Sequence, residues 1–355
     1  EALMMRAFTY AGSPARIEFG AGASGQLGAA VERLGWRRVL LLSTPRKDTA
    51  EALARELGGR AAGVFAEAAM HTPVAVTAAG VAAAHALGAD GLVAIGGGSA
   101  IGLGKAIALR TGLGQIAIPT TYAGSEATDI LGETADGAKT TLRDPRVRPG
   151  TVLYDPELTL SLPVAVSVAS GLNAMAHAAE ALYAADRNPV TSLMAAEGLA
   201  ALHRALPRIV DDPRDRDARA DALYGAWLCG TVLGSVAMAL HHKLCHTLGG
   251  SFGLPHAETH AVLLPHTVGF NAAAVPDLVA PLAAIFVAPV GGALHDFAMR
   301  LGAPAALRDL GMAEADLDRA AAIATERPYP NPRPIERPAV RALLDAAWRG
   351  ARPPN

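Results

Sequence analysis

The sequence predicts an α/β domain built on a doubly wound parallel sheet, followed by an all-α domain. Up to about residue 160, short apolar runs alternate with segments of helical length, which is the pattern of βαβ units. Beyond that point the chain is rich in Ala and Leu and shows no clear strand pattern. We therefore expect one domain over residues 1–160 and a helical domain over residues 161–355, with a functional site in the cleft between them.

Composition narrows the class of protein. Hydrophobic residues make up 51% of the 355 residues and charged residues 18%, which excludes intrinsic disorder and fits a globular, enzyme-like protein. The net charge of -2 offers no field that would attract nucleic acid or an acidic membrane. Apolar runs are interrupted by Gly, His, Asp and Lys, so none is typical of a membrane span. We expect neither nucleic acid nor a membrane as a partner.

The cysteines and the first residues indicate the cellular compartment in which the protein is expected. Cys229 and Cys245 are too few for a disulfide framework in so long a chain, and they are expected to be free thiols in a reducing compartment. The opening segment, EALMMRAFTY, lacks the charged-then-apolar pattern of a secretory signal. These features predict a cytoplasmic protein.

The first 160 residues divide into strands and helices in a regular order. Alternating apolar positions over residues 5–20 predict an edge strand or a hairpin, and Ser24 can cap a helix that ends near Gly35. Continuous apolar runs further on are typical of strands buried in a parallel sheet. The elements expected next are strand Val39–Thr44, helix Thr49–Leu57, a strand centred on Val64 and Phe65, helix Val74–Leu87, strand Gly91–Ser99, helix Ala100–Arg110 and a strand over residues 115–121.

A hairpin with Asp136-Gly137 at its turn and a final strand complete the first domain. Pro156 and Pro163 mark the change of character, and we place the boundary near Leu160. The segment ERPYPNPRPIERP, late in the second domain, is interpreted as ordered packing on the surface. The helices expected in the second domain cover residues 166–183, 190–205, 215–240, 241–249 and 256–272, with shorter helices over 276–350.

A glycine-rich turn follows one of the expected strands. Gly96, Gly97, Gly98 and Ser99 come directly before a helix, where small residues let the backbone approach a pyrophosphate and the helix N-terminus stabilises its charge. This is not a G-x-G-x-x-G fingerprint, and the triplet is equally compatible with a plain tight turn. The strand before it and the helix after it favour a phosphate site.

Hydroxyl-bearing residues follow the next strand. Thr120, Thr121 and Ser125 are expected beside the glycine triplet, where they can bond phosphate or ribose oxygens. A hydroxyl-stabilised turn with a helix cap explains the same residues equally well.

The strongest functional signal is a run of histidines. Five of the eleven fall within twenty residues: His241, His242, His246, His256 and His260. His242 and His246 are four residues apart and share a helix face, and Gly249-Gly250 is expected to end that helix. The last two histidines repeat the spacing. So dense a group with few charges around it favours a catalytic or ligand role for at least two members.

An earlier helix adds two candidates with the same spacing. Asn173 and His177 lie four residues apart, and with His242 and His256 they can converge on one point between the domains. Lys243, next to His242, is a candidate cation for this site and is equally explained as a solvated helix lysine.

Together these motifs resemble the iron-containing (group III) alcohol dehydrogenase family. The motifs are GGGS, TTYAGSE, NAMAH, HxxxHxLGG and LPH, and the resemblance extends to about residue 310. It implies the dehydroquinate synthase-like fold of that family, with an α/β domain that binds a nicotinamide cofactor, a helical catalytic domain and the active site in the cleft. The family often forms homodimers, so a homodimer is expected.

The resemblance also implies a metal site, from which this chain departs. Metal-dependent members hold a divalent cation with one Asp and three His, and by motif those positions fall on Asn173, His177, His242 and His256. An amide oxygen is a poorer ligand for a dication than a carboxylate, which argues against tightly bound iron. We expect no metal, only a vestigial site. Gly102 is a second departure, because many members carry Asp there.

The segments GGGSAIGLGKA, GLNAMAHAAE, HHKLCHTLGGSFGLPHAETHA and NPRPIERP most resemble the maleylacetate reductase branch of the family. The resemblance implies reduction of the carbon–carbon double bond of maleylacetate to 3-oxoadipate, in microbial degradation of aromatic compounds and without a metal. Thr44 ends an expected strand where an acidic residue would repel a 2′-phosphate, so we expect both NADH and NADPH to be used.

The implied reaction assigns roles to the histidines. Hydride addition produces an enolate, which needs a stabiliser for its oxygen charge and a proton for its carbon. We expect His177, His242 and His256 to bind and polarise the substrate, and His246 to donate the proton near the nicotinamide. Asn173 in place of Asp removes a charge that would repel a dicarboxylate.

Two other functions stay open. A metal-dependent alcohol dehydrogenase or aldehyde reductase of the same family is favoured by His177, His242 and His256 and disfavoured by Asn173. A lyase of the dehydroquinate synthase type also uses NAD and a metal, but its pattern would require the missing acidic ligand.

Overall fold

A computed structural model describes residues 7–13, 15–135, 138–287 and 289–354. Within these ranges eight strands are present: β1 (Arg16–Phe19), β2 (Val39–Leu42), β3 (Ala61–Phe65), β4 (Gly91–Gly96), β5 (Gln115–Pro119), β6 (Ile130–Ala135), β7 (Ala138–Arg143) and β8 (Thr151–Tyr154). Six of them form a sheet in the order β1-β8-β5-β4-β2-β3, and every neighbouring pair in it is parallel. β6 and β7 pair separately as an antiparallel hairpin.

Four α-helices lie among the strands and nine follow them in the described residues. They are α1 (Leu27–Arg33), α2 (Asp48–Leu57), α3 (Val74–Ala86), α4 (Gly98–Thr111), α5 (Val164–Tyr183), α6 (Pro189–Asp211), α7 (Arg216–Ser235), α8 (Leu240–Phe252), α9 (His256–Ala272), α10 (Ala280–Phe286), α11 (Val290–Arg300), α12 (Leu317–Thr325) and α13 (Arg337–Arg349). The α/β part followed by a helical part confirms the predicted fold class.

Helices cover both faces of the six-stranded sheet. In β2, Leu41 packs with residues of α1 and α2 on one face, whereas Leu40 and Leu42 pack with residues of α3 and α4 on the other. Side chains alternate between the faces of a strand, so a strand covered on both sides must be apolar throughout. The predicted doubly wound arrangement is therefore confirmed, and it explains the unbroken apolar runs in the sequence.

The strand order brings two loops together at one edge of the sheet. The chain changes direction across the sheet between β2 and β4, and β4 lies beside β5 with Gly96 paired to Pro119 at their carboxyl ends. Ligands of open α/β sheets bind in the crevice at such a reversal. The glycine turn after β4 adjoins this crevice, and the hydroxyl-bearing loop after β5 lies against that turn, with the Thr120 N–H bonded to the Gly96 carbonyl.

Two local expectations about helix ends are wrong. Ser24 does not cap a helix, because its hydroxyl donates to Asp155 at 2.6 Å, and α1 begins at Leu27 without a side-chain cap. Gly249-Gly250 does not end α8, which continues to Phe252 and stops where Gly253 adopts a left-handed φ of 71°. The residue that can leave the right-handed region with least strain is the one that ends the helix, and here it is the later glycine.

Other expectations can be compared directly with the strand pairing. β1 is an edge strand that pairs in parallel with β8, so the edge strand is confirmed and the N-terminal hairpin is wrong. The second hairpin is present as β6 and β7, and its predicted turn, Asp136-Gly137, lies outside the described residues. The boundary near Leu160 stays a prediction, with β8 ending at Tyr154 and α5 beginning at Val164.

A buried arginine connects the helical part to the strand-containing part. Arg219 on α7 is fully buried and donates to the hydroxyls of Tyr122 at 3.0 Å and Ser167 at 2.7 Å. It also donates to the carbonyl oxygens of Leu162 and Pro213, each at 3.0 Å. A buried guanidinium is tolerated only when its N–H groups are bonded, and these four acceptors hold α7 against the loop that contains Tyr122.

The same two regions touch through glycines. Gly124 has a left-handed φ of 78°, and a Cβ placed on Gly230 of α7 would lie 2.4 Å from the Gly124 carbonyl oxygen. No larger residue fits at Gly230 without moving the backbone. The loop after β5 is thus fixed against α7 by a backbone contact as well as by Arg219.

Within the described residues, no single helix has both the length and the apolarity to cross a membrane. Two bent pairs of helices reach that length and apolarity jointly, α7 with α8 at an angle of 94° and α10 with α11 at 46°.

Replacing Gly230 by Ala should destabilise the protein by about 1–3 kcal/mol, because the new methyl group would overlap the Gly124 carbonyl. Gly250→Ala is the matched control. Gly250 is an exposed residue of α8, and a Cβ added to it would have no atom within 4 Å, so the change should stabilise by roughly 0.5–1 kcal/mol. Chemical denaturation of both variants measures the difference. Equal stability of the two would contradict the close backbone contact.

Candidate active site

Two histidines on different helices are hydrogen-bonded to each other. His177 on α5 places its Nδ1 atom 2.9 Å from Nε2 of His242 on α8, and its own Nε2 lies 3.3 Å from the carbonyl oxygen of Ala123. Both side chains are buried. The pair therefore joins two helices of the helical part to the loop that follows β5, next to the predicted nucleotide crevice.

Glu180 orients His242 and closes the start of α8. Its carboxylate accepts a hydrogen bond from His242 Nδ1 at 2.7 Å, and it also accepts the backbone N–H groups of Ala239 at 3.0 Å and His241 at 2.7 Å. The first N–H groups of a helix have no partner in the helix, and a carboxylate there also interacts favourably with the helix dipole. We did not single out Glu180 from the sequence, although its position three residues after His177 puts both on one helix face.

A second hydrogen-bonded pair lies behind the first. His241 Nε2 is 2.9 Å from Nδ1 of His260, and His241 Nδ1 is 2.8 Å from the hydroxyl of Thr267. That hydroxyl donates to the Leu263 carbonyl, so it accepts a hydrogen bond from His241 Nδ1–H, and His241 Nε2 then accepts a hydrogen bond from His260 Nδ1–H. His260 Nε2 is left as a buried acceptor with no hydrogen-bond partner among the described groups.

Burial sets the protonation of these rings. It lowers the pKa of His177, His241 and His260 well below the ordinary range, and neighbouring histidines lower each pKa further. All three imidazoles are therefore neutral near pH 7. A neutral imidazole carries one N–H donor and one lone pair, which suits it to bind a developing oxygen charge or to orient a neighbour.

The remaining predicted residues lie around this core. His260 is close to His256, with ring centres 4.5 Å apart, and His246 is exposed with its ring centre 6.2 Å from that of His242. Lys243 is half-buried. Asn173 is buried, and its Oδ1 atom has no hydrogen-bond partner among the described groups. The structure thus brings the predicted histidines into one cluster, and His260, to which the sequence assigned no role, lies at its centre.

On the nucleotide side, the glycine turn contacts the threonine loop. Gly97 is the residue before α4, and a Cβ there would lie 2.8 Å from the side chain of Thr121. The N–H of Thr120 donates to the carbonyl of Gly96 at 3.0 Å. Gly98 opens α4 and is exposed, with open space around it, so backbone N–H groups at this helix start are accessible to a phosphate.

Lys105 supports this loop and was missed in the sequence. It is fully buried on α4 and donates to the carbonyls of Ser125 at 2.6 Å and Ile130 at 2.8 Å, and to the Thr128 hydroxyl at 2.9 Å. Burial lowers the pKa of Lys105 to about 7, against the opposing charge of Glu126. The sequence signal for Lys105 is a single lysine within an apolar stretch of α4. The side chain of Lys105 holds the loop that contains Ser125.

Two further positions concern the cofactor. Thr44 follows β2 at the carboxyl edge of the sheet and is half-buried. Gly102 faces Thr72, and a Cβ at Gly102 would lie 2.4 Å from the Thr72 hydroxyl oxygen. The space that an aspartate would need at this position is therefore filled by a buried threonine.

The donors at the family's metal positions do not fit a metal ion in this arrangement. His177 Nδ1 and His242 Nε2 are 2.9 Å apart in a direct hydrogen bond, whereas two nitrogen ligands of a tetrahedral zinc would be about 3.4 Å apart. Asn173 supplies a neutral amide oxygen in place of a carboxylate. One feature does match a metal site: Glu180 accepts a hydrogen bond from His242, as carboxylates commonly do from histidines that bind a metal.

Another group of possible metal ligands lies close together. Side-chain atoms of His241, Cys245 and His260 lie within 4.8 Å of one another. Burial raises the pKa of the Cys245 thiol well above its ordinary value, so the thiol is protonated when no metal is bound.

Comparison with known proteins gives a consistent result along the chain. A family model described as "Iron-containing alcohol dehydrogenase" matches residues 14–156, and one described as "Fe-containing alcohol dehydrogenase family, C-terminal" matches residues 167–348. The maleylacetate reductase of Rhizobium sp. (strain MTP-10005) is 62% identical over 350 residues, covering 98% of this chain and all of that protein. The maleylacetate reductase of Burkholderia cepacia is 53% identical over 351 residues, with coverage of 98% and 100%.

A solved structure has the same fold. The crystal structure of maleylacetate reductase from Agrobacterium tumefaciens superposes with a TM-score of 0.96 at 61% identity, over 98% of this chain and 100% of that one. With both family models matched in order and full-length relatives above half identity, the chain belongs to the iron-containing alcohol dehydrogenase family.

Proposed function

We propose that this protein reduces the carbon–carbon double bond of maleylacetate to 3-oxoadipate with NADH or NADPH, as part of microbial degradation of aromatic compounds. The observation that carries the proposal is the 62% identity, over essentially the full length of both chains, to a maleylacetate reductase. The cluster of histidines beside the predicted nucleotide crevice supports it chemically. We further propose that the protein acts in the cytoplasm as a homodimer, with the edge strand β1 available to a second copy.

The cofactor binds where the strand order reverses. The start of α4 receives the pyrophosphate through the backbone at Gly96, Gly97, Gly98 and Ser99, and the favourable end of the helix dipole faces it. Hydroxyls in the loop after β5 bond phosphate or ribose oxygens, and this loop reaches the histidines through Ala123. The loop therefore places the nicotinamide beside the cluster. The hydroxyls are those of Thr120, Thr121 and Ser125.

The reaction has three parts that the protein must support. A bound nicotinamide would supply a hydride to the alkene carbon β to the ketone, the electron pair of the double bond would move to the ketone oxygen, and a proton would add to the adjacent carbon. We assign His177, His242 and His256 to bind and polarise the substrate, where hydrogen bonds to the enolate oxygen would stabilise its charge. His246, at the exposed side of the cluster, donates the proton.

We propose that no metal takes part. The buried histidines bond to each other, and Asn173 supplies no charge to offset a dication. Lys243 and the histidines provide donors for the enolate and for a carboxylate without a Lewis acid. A metal-dependent alcohol dehydrogenase or aldehyde reductase is the second candidate, and the Glu180–His242 bond is the observation that favours it.

Enzyme dialysed against a chelator should oxidise NADH rapidly with freshly generated maleylacetate and release 3-oxoadipate. Turnover is followed by NADH absorbance, product by chromatography and residual metal by elemental analysis. Activity that is absent after dialysis and returns with iron or zinc would contradict the metal-free mechanism and favour the metal-dependent alcohol dehydrogenase or aldehyde reductase.

His246→Ala should lower kcat on the order of 100- to 10,000-fold, the usual range for loss of a general acid. The melting temperature should change little, because this side chain is exposed. His242→Ala serves as the comparison, since it removes a buried bond to Glu180 and should impair both turnover and stability. Near-full turnover in His246→Ala together with its loss in His242→Ala would overturn the assigned proton donor.

Both NADH and NADPH should support the reaction, because no carboxylate at position 44 repels the 2′-phosphate. Thr44→Asp should lower kcat/KM for NADPH and leave the value for NADH near that of the unaltered enzyme. Thr44→Asn, which is similar in size and uncharged, is the control and should retain NADPH use. A preference of the unaltered enzyme for NADH of several hundred-fold in kcat/KM would contradict the interpretation of Thr44.

A further inference from the structure

The proline-rich segment between α12 and α13 lines a cavity of about 310 Å³. The chain here reads ERPYPNPRPIERP, from Glu326 to Pro338, and the resemblance to maleylacetate reductases includes part of it. Proline fixes φ and reduces the conformational freedom of the unfolded chain, so the segment is held in one shape without regular structure. The cavity is lined by Thr325, Arg327, Pro328, Tyr329, Asn331, Arg333, Pro334 and Ile335.

Asn331 attaches this segment to the helices that carry the histidines. Its amide exchanges two hydrogen bonds with the amide of Asn271 on α9, at 2.7 and 3.0 Å. Its Oδ1 atom also accepts the backbone N–H of Leu240, the first residue of α8, at 3.4 Å. His242 belongs to the same first turn of α8. The cavity is therefore fixed to the helix turn that presents a reacting histidine.

The charged side chains that line the cavity are those of Arg327 and Arg333, and none is acidic. Both arginines are exposed. Among the described residues, neither Arg327 nor Arg333 has a carboxylate within 4 Å, and the guanidinium of Arg333 lies 4.1 Å from the centre of the Phe270 ring. Stacking on an aromatic ring fixes the plane of a guanidinium and leaves its N–H edge available for bidentate bonding to a carboxylate.

A buried hydroxyl adds a neutral donor. The phenol oxygen of Tyr329 is buried and has no hydrogen-bond partner among the described groups. Burial raises the pKa of Tyr329, and the negative charge of nearby Glu180 raises it further. The Tyr329 hydroxyl therefore keeps its proton. An unbonded buried hydroxyl is unfavourable, and a bound acceptor oxygen would satisfy it.

The carboxylate of Glu180 does not cancel the positive charge of the cavity. It is bonded to His242 Nδ1 and to backbone N–H groups at the start of α8, as described above. Its oxygens face the helix, while the arginines lie on the proline-rich segment. Charge at the cavity is thus set by Arg327 and Arg333.

We propose that Arg333 and Arg327, with the Tyr329 hydroxyl, bind one carboxylate of a dicarboxylate substrate and select it over monocarboxylates. The assignment rests on the proposed function for the identity of the substrate. We assign to this site the carboxylate farther from the reduced double bond, because the cavity adjoins Leu240 at the start of α8, whereas His246, the proposed proton donor, lies later in the same helix. Leu240 and His246 are separated by about 9 Å along the helix, which a six-carbon chain can span.

Arg333→Gln is the principal test, with maleylacetate for kinetics and adipate as a binding probe that needs no turnover. Adipate has a carboxylate at each end of a six-carbon chain, and hexanoate has the same chain with one. Loss of a charge-assisted bidentate bond should raise KM for maleylacetate and the Kd for adipate on the order of 10- to 100-fold. The kcat and the Kd for NADH should remain near those of the unaltered enzyme, which a general loss of structure would not allow. Arg327→Gln should shift the same two constants in the same direction.

Arg319→Gln is the matched control. Arg319, on α12, also stacks on a phenylalanine, with its guanidinium 5.2 Å from the ring centre of Phe252, but it does not line the cavity. This variant should leave KM and the adipate Kd unchanged. Calorimetric binding that is equal in the unaltered enzyme, Arg319→Gln and Arg333→Gln would overturn the carboxylate site, as would equal affinity for adipate and hexanoate. Arginine-dependent adipate binding without any maleylacetate turnover would instead refute the proposed function and leave the site standing.

Discussion

One buried carboxylate organises the centre of this protein. Glu180 lies on α5, yet its oxygens accept the first backbone N–H groups of α8 and the Nδ1 proton of His242. The start of α8 has no partners of its own for those N–H groups, and the helix dipole favours a negative charge there. The carboxylate therefore fixes both where α8 begins and which nitrogen of His242 faces His177. Together with the His177–His242 bond, it sets the register of the two helices that present the histidines.

The histidine cluster follows from this arrangement because the rings bond to one another. His177 is hydrogen-bonded to His242, and His241 is hydrogen-bonded to His260. In each pair one nitrogen of each ring takes part in the bond, which holds both rings in place. Burial lowers the pKa of His177, His241 and His260 and keeps these three rings neutral, which limits the repulsion that several imidazolium ions at this distance would cause. Two of the positions that the family uses for a metal, His177 and His242, are here bonded to each other, and His242 is bonded in turn to Glu180.

The two parts of the chain are coupled at the loop after β5. Lys105 supports this loop from α4, Gly124 allows α7 to approach it, and Arg219 bonds Tyr122 within it. The same loop ends in contact with His177 through the Ala123 carbonyl. A loop held on several sides can place a nicotinamide and a substrate within reach of each other, since small displacements in such a geometry cost large factors in rate.

Local pattern determined a large share of this structure. The alternation of apolar runs and helical segments predicted the doubly wound sheet and the helical part, because burial on both faces requires strands like Val39–Leu42 to be apolar throughout. Four-residue spacing correctly placed His242 and His246 on one helix face, which depends only on the helix period. Tertiary contacts decided the rest: Ser24 bonds distant Asp155 and leaves its helix uncapped, and α8 ends at Gly253 although two earlier glycines could have stopped it. Glu180 and Lys105 were invisible as site residues because their partners come from other helices and loops, and the energy of a buried polar group depends on partners that only the folded chain brings together.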